Sequence, residues 1–440
     1  MIKTLTSAFK NKDIRKKLLY TLMMLVVIRI GSLLPIPGVD TEYFSTLLSG
    51  FNSGDLSYLS AFTGGSFEKM SLFALSITPY INSSIIMQLL TIAIPKLEEM
   101  QKEGEDGRKK IASITRYVTI ALALIESIAM AVGFGRQGLI KDYKDMSTIH
   151  YVTCIIVVVA ALTAGSAVLM WIGERITEKG VGNGISIVLL INIISGMPSD
   201  FVTLYSTFVA NKSIARGVTV AVIIAAIVIA VVVLVVILQD GERRIPVQYS
   251  QKVAGRKTIG GQATNIPLKV NTAGVMPIIF ASSIMQFPVI IVQLFTSNSY
   301  EWTKYLSQSY WCRVQMPKYS IGLLLYIILV VVFAYFYTSI TFNPVQIADN
   351  LKKAGGVVPG ITPGRSTSEY LNKILNYIVF IGAVGLMIVA LIPIMCTGFF
   401  NASVSFGGTS IIIIVGVVLE TMKQIESMMV NRNYRGFLSE

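Results

Sequence analysis

One histidine, three cysteines and a charged fraction of only 14% over 440 residues leave this chain poorly equipped for catalysis. His150 stands at the edge of an apolar run, where an interfacial side chain is a plainer reading than a general base. Cys154, Cys312 and Cys396 are scattered without any Cys-x-x-Cys, so neither a disulfide framework nor a zinc site is indicated. No His-Glu-x-x-His, Gly-x-Ser-x-Gly or P-loop occurs, and the usual grounds for a metalloprotease, a nucleophile-elbow hydrolase or an NTPase are missing. Gly180-Val-Gly-Asn-Gly184 faintly resembles a phosphate loop, but it follows an apolar run instead of a strand and reads as a tight turn with close helix approach. The expectation is a chain that is not an enzyme, with no catalytic residue, metal or cofactor. Energy for any directed movement must come from outside it.

What the chain has in abundance is apolar sequence, 53% hydrophobic by composition. Runs of about 20 residues suffice to cross a hydrocarbon layer of ~30 Å. They fall near 18–34, 72–95, 111–133, 151–172, 184–208, 217–238, 273–295, 320–341, 374–396 and 409–428. That predicts an all-α polytopic membrane protein of ten spans, five per half. The weakest is 184–208, which Ser195-Gly-Met-Pro-Ser199 interrupts. Lys3, Lys10, Lys12, Arg15, Lys16 and Lys17 precede the first run in the manner of a signal peptide. That run ends in Pro-Ile-Pro-Gly without a small-x-small cleavage site, and we read it as a retained first span.

The two halves are related. Aligning Pro79 with Pro277, an offset of 198 residues, superposes Thr78–Gln88 on Met276–Gln286 with six of eleven positions identical. The shared residues are Pro79/Pro277, Ile81/Ile279, Ser84/Ser282, Ile86/Ile284, Met87/Met285 and Gln88/Gln286. Each copy sets a proline at the head of an apolar segment, with small or polar residues behind it. Matched interruptions in two halves point to a transport path. Because each half holds an odd number of spans, the repeats are inverted. Lys and Arg set the orientation: with the N-terminus inside, inner segments carry 27 basic residues and outer segments nine. Both termini are therefore expected in the cytoplasm.

The expected organisation is a cytoplasmic segment 1–17, a first half 18–208, a second half 209–428 and a cytoplasmic tail 429–440. The outer stretch from Leu56 to Met70 is too short to cross and too apolar for a free loop. A half-inserted short helix with flexible glycines fits it, a surface amphipathic turn being the alternative. Two inner loops, 239–272 and 342–373, are long for membrane connectors and carry basic groups that suit RNA phosphate, an acidic protein or anionic lipid. The spans hold few charges. Arg29 and Glu126 are the clear ones, which speaks against ion coupling while leaving an ion-coupled solute carrier as the competitor. A purely structural scaffold is a third reading.

A series of short stretches then carries a resemblance over nearly the whole chain. In order they are Leu33-Leu-Pro-Ile-Pro-Gly38, Phe73-Ala-Leu-Ser-Ile-Thr-Pro-Tyr-Ile81, Glu105-Asp-Gly-Arg-Lys-Lys110 and Gly182-Asn-Gly-Ile-Ser-Ile187. Pro267-Leu-Lys-Val-Asn271, Ala273-Gly-Val-Met-Pro277, Ala348-Asp-Asn-Leu-Lys-Lys353 and Phe406-Gly-Gly-Thr-Ser410 complete it. The sequence resembles the SecY family, the channel subunit of the bacterial Sec protein translocase. The resemblance implies two inverted five-helix halves around an hourglass pore in the cell membrane. It implies conduction of unfolded secretory polypeptides and lateral release of transmembrane segments, driven by the SecA ATPase or the translating ribosome. SecE and SecG are the implied membrane partners, and preproteins with their signal sequences the implied cargo.

Residue by residue, the resemblance assigns a pore ring to Ile81, Ile85, Ile185, Leu189, Ile279 and Ile413. Self-comparison lends partial support, since Ile81 pairs with Ile279 and Leu189 with Ile413 across the repeat. From composition alone, such residues are the ordinary filling of membrane helices. A plug is implied at about 56–70, with Leu56, Leu59, Phe62, Gly64, Gly65 and Phe67. A gate opening to lipid between the second/third and seventh/eighth helices takes in Pro79, Asn82, Ser83, Gln88, Pro277, Ser282, Ser283 and Gln286. Docking of SecA and the ribosome falls to Arg243, Arg244, Arg256, Lys257, Lys352, Lys353 and Arg365. There the chain departs from the family pattern, with Thr362 where relatives carry arginine.

Overall fold

We describe the chain from a computed structural model covering residues 6–7, 9–50, 63–140, 147–206, 214–249, 252–254, 257–259, 263–295, 300–313, 316–400 and 408–436. Ten long helices order the described residues. They are α1 (Lys12–Leu33), α2 (Thr78–Ala93), α3 (Glu105–Phe134), α4 (Thr148–Lys179) and α5 (Gly184–Leu204) in the first half. α6 (Ile214–Asp240), α7 (Met276–Phe295), α8 (Ile321–Thr341), α9 (Arg365–Phe400) and α10 (Gly408–Gly436) form the second. Each corresponds to one expected span. Five of the ten, α3, α4, α6, α8 and α9, contain a stretch long and apolar enough to cross a bilayer unaided.

α2 shows how a shorter helix manages. Its 16 residues rise only about 24 Å, and the expected span from residue 72 begins as a string of turns rather than as helix. Irregular backbone is tolerated at membrane depth where protein surrounds it. Phe73, Ala74, Ser76 and Ile77 are each at most 4% exposed. Pro79 then sits in the first turn of α2, where its missing N–H costs nothing. α5, the span expected to be weakest, is continuous through Pro198.

The first half packs through α2–α3, α3–α4, α4–α5 and α1–α4, and the second through α7–α8, α8–α9, α6–α9, α6–α10 and α9–α10. The halves meet along two seams, α5–α10 and α3–α7. Large apolar side chains remain exposed on the outer helices, among them Leu22, Val26 and Ile30 of α1 and Val222, Ile229 and Ile237 of α6. Such continuous apolar faces suit lipid rather than water. The protein is a multi-pass membrane protein.

The long segment after α6 holds four strands: β1 (Glu242–Tyr249), β2 (Lys252–Ala254), β3 (Lys257–Ile259) and β4 (Ala263–Lys269). β1 and β4 form an antiparallel hairpin in which Arg244 faces Pro267 and Ile245 faces Ile266. β5 (Gly356–Val357), from the segment after α8, joins the free edge of β1 at Gln248 and Tyr249. Pro246 precedes that pairing, so its lack of an N–H leaves the short ladder intact. Two stretches expected as separate loops thus share one three-stranded sheet with a core of its own, made by Ile245, Val247, Leu268, Leu351, Leu371 and Ile374. The start of α1 meets α10, where Ile14 clusters with Met422 and Ile425 and with Val181 in the α4–α5 turn.

Candidate functional site: a cavity between the halves

α2, α5, α7 and α10 bring side chains from both halves onto one cavity of ≈ 410 Å³. Local chemistry starts each helix in place. Asn183 caps α5, its side-chain oxygen accepting from the Ile185 and Ser186 amides at 3.1 and 3.5 Å. Gly184 lies so close to α4 that a Cβ there would fall 1.8 Å from the Gly173 carbonyl oxygen, so no larger residue fits without moving α4.

The rim of the cavity is polar and charged, with Gln88, Gln239, Lys269, Asn271, Glu420 and Lys423 on its wall. Lys423 pairs with Asp240 at 2.6 Å, tying α10 to the end of α6. The opposite character appears deeper. Ile413 lies ten residues along α10 from Lys423, a drop of about 15 Å. Around it Ile81, Ile185, Leu189 and Ile279 also line the cavity. Five of the six residues expected in a ring therefore meet at one place. The sixth, Ile85, is 5% exposed and packs in the same core cluster, off the cavity wall. Aliphatic side chains offer ions no hydrogen bonds, and where they narrow a path they can exclude water.

The residues expected along the gate divide by helix. On α2, Asn82 donates to Glu126 Oε1 of α3 at 3.3 Å, and Ser83 hydrogen-bonds Thr119 of α3. Gln88 lines the cavity, and its buried Oε1 meets no donor among the described residues. On α7, Pro277 and Gln286 are buried, Ser283 is half-buried, and Ser282 accepts from Gln308 at 3.3 Å. α7 reaches the first half through α3.

Leu56, Leu59 and Phe62 lie outside the described residues. The part of 56–70 that is described, 63–70, runs in turns instead of a regular helix. Gly64 and Gly65 take φ of +63° and +79°, the left-handed region that favours glycine. Phe67 is 5% exposed and meets Phe44 and Phe134 edge to face at 5.8 and 6.4 Å. Gly64 itself rests on α5, where an added Cβ would lie 2.5 Å from Ser195 Oγ and 2.7 Å from the Asn192 carbonyl.

Of the residues expected for docking, two lie on the three-stranded sheet and the other described ones on separate elements. Arg243 and Arg244 project from β1 and are exposed; Arg244 pairs with Glu242 at 2.6 Å. Arg256 lies outside the described residues, while Lys257 opens β3. Lys352 and Lys353 close the short helix Pro344–Lys353, a favourable place for cations. Arg365 begins α9, 92% exposed and paired with Glu369. Thr362 offers only its carbonyl, to Thr367 Oγ1 at 2.9 Å. Sequence reasoning missed Asn192 and Ser195 as contacts of the 63–76 segment. Their signal was the polar interruption of an apolar run, read there only as weakness.

The pattern of the SecY family matches residues 71–422. The chain belongs to the SecY family. Over its whole length it is 42% identical to a protein translocase subunit SecY of Streptomyces galbus, with both chains fully covered. Its fold is also that of solved channels at lower identity. One is a SecY protein described by a plug domain that stabilises the closed state and maintains a membrane seal (TM-score 0.62, 17% identity, 94% of this chain and 92% of that one). Another is Sec61 in the canine ribosome-channel complex of the endoplasmic reticulum (TM-score 0.58, 16% identity, 94% and 93%). In this chain the first five long helices touch the last five along the seams α5–α10 and α3–α7.

Proposed function

We propose the following account of how the chain works. It is the pore-forming subunit of a protein translocation channel, conducting unfolded secretory polypeptides and releasing apolar segments into lipid. The observation that carries this reading is the meeting of Ile81, Ile185, Leu189, Ile279 and Ile413 on one cavity. They come from four helices, two in each half. Aliphatic side chains with no directional bonds can yield around many different substrates and close again when the path is empty. At rest such a constriction is dry and resists ions.

Both termini and the sheet face the cytoplasm, an orientation supported by the 27-to-9 excess of basic residues on that side. The polar cavity is then the entry for the polypeptide. Arg243 and Arg244 on the joined sheet, Lys257 on β3, Lys352 and Lys353 on the helix Pro344–Lys353 and Arg365 at the start of α9 are the basic groups offered to the SecA ATPase or the ribosome. SecE and SecG complete the complex from the lipid side. The lateral gate runs along the α3–α7 seam, so parting α2 and α3 from α7 and α8 opens the pore to lipid. Residues 56–70 serve as the plug, and the described part of them meets α5 at Gly64.

Replacing Ile81 and Ile279 together by Asn tests the dry constriction. In planar bilayers without substrate, the resting conductance of the reconstituted complex rises well above that of the parent. An unchanged conductance, with the complex assembled, would contradict it.

A further inference from the structure

We propose that Arg29 is a positioning residue for the plug, fastening it at Gly64 to α5 through Ser195. The proposal rests on reading residues 56–70 as the plug. Arg29 lies four residues before the end of α1 and is half-buried. A guanidinium in a membrane helix is costly and is kept where it has work to do. Among the described residues no carboxylate comes within 4.0 Å of it, so an ion pair does not account for it. Its Nη1 instead donates to Ser195 Oγ of α5 at 2.8 Å.

That hydroxyl has one proton and faces two carbonyl oxygens, Asn192 at 2.7 Å and Gly64 at 3.3 Å. A cation donating into the hydroxyl oxygen turns and polarises its proton toward those acceptors. The contact needs the backbone of residue 64 flush against α5, and the missing side chain of Gly64 allows that approach. One turn along α5, Asn192 donates to Ser76 Oγ at 2.9 Å and holds the segment again just before α2.

Residues 63–72 are fastened at two places by different means. Residues 70–72 join the exit of α1 by backbone bonds, Ile36 N–H to Met70 at 3.1 Å and Leu72 N–H to Leu34 at 2.9 Å. Gly64 is fastened by the side-chain relay from Arg29. A relay of side chains releases without unpairing a backbone ladder, so residue 64 can leave α5 while residues 70–72 stay joined to α1.

The test uses the reconstituted complex with Cys154, Cys312 and Cys396 replaced by Ser and a reporter Ser66→Cys, a position 1% exposed. A membrane-impermeant maleimide added from the outer side reads opening of the segment, and planar-bilayer conductance reads the seal. Arg29→Met is expected to speed labelling about tenfold and to raise resting conductance, the shift that losing one charge-assisted hydrogen bond produces in a local opening. Ser195→Ala changes no charge, serves also if Arg29→Met fails to assemble, and gives the same result. Arg29→Lys, keeping charge and donor but not the reach, falls between. The double variant labels no faster than Ser195→Ala alone, because both act on one relay. Additive effects, or labelling that stays at the parent rate in both single variants, would overturn the latch. Faster labelling without added conductance would uphold the latch and overturn the plug reading itself.

Discussion

The two copies of the internal repeat keep their backbone device and exchange the chemistry of their interfaces. Asn82 of α2 and Phe280 of α7 occupy the same repeat position. Asn82 bonds to Glu126 of α3, and the neighbouring Ser83 bonds to Thr119. Phe280 meets Phe333 and Tyr337 of α8 edge to face, at 5.8 and 6.2 Å. Where Ser83 stands in the first copy, Ala281 stands in the second. One side of the proposed gate is thus joined by directional polar bonds, the other by ring contacts. A hydrogen bond weakens steeply with angle and distance, so α2 and α3 are suited to move as one body. Aromatic pairs tolerate a range of offsets, so α7 can shift on α8 without losing its packing. The duplication preserved the proline break and small residues that shape the path, and the two walls diverged in compliance.

The largest effect is expected from Phe280→Ala. Phe280 is 1% exposed and holds both ring contacts, and such truncations cost about 3–5 kcal/mol. Thermal unfolding of the assembled complex in detergent reads it as a large drop in midpoint. Asn82→Leu removes the donor to Glu126 and is expected to cost about 1–2 kcal/mol, in the range of interhelical polar bonds in membranes. Cross-linking between α2 and α3 then becomes more permissive, while that between α7 and α8 is unchanged. Ser83→Ala is the mildest, about 0.6 kcal/mol, because Thr119 keeps its bond to the Thr115 carbonyl at 2.7 Å. The reverse order, with Asn82→Leu costing more than Phe280→Ala, would overturn the comparison.

The spans, their number and the repeat were legible because apolar length and a fixed offset are local properties of sequence. Ile81 and Ile279 pair by the repeat offset alone, and both line the cavity. The union of two loops into one sheet was hidden, since β5 contributes two residues that meet β1 more than 100 positions away. Residues 72–77 read as helix because their apolar character fits a span, and buried turns look the same in composition. Ser195 read as an interruption, because a polar residue in an apolar helix declares a cost without naming its partner. Partners such as Arg29 and Gly64 are set by tertiary packing across 166 and 131 positions.

The central claim is that the polypeptide passes the aliphatic residues between the halves. The most direct measurement is a disulfide cross-link in the reconstituted complex, in a background with Cys154, Cys312 and Cys396 replaced by Ser. Ile279→Cys is combined with a secretory chain stalled midway and carrying one cysteine. Such a bond forms only when the two Cα atoms come within about 7 Å. The account predicts a cross-link that depends on the motor or the ribosome. No cross-link, with the complex intact and the stalled chain membrane-bound, would put the path elsewhere and contradict it.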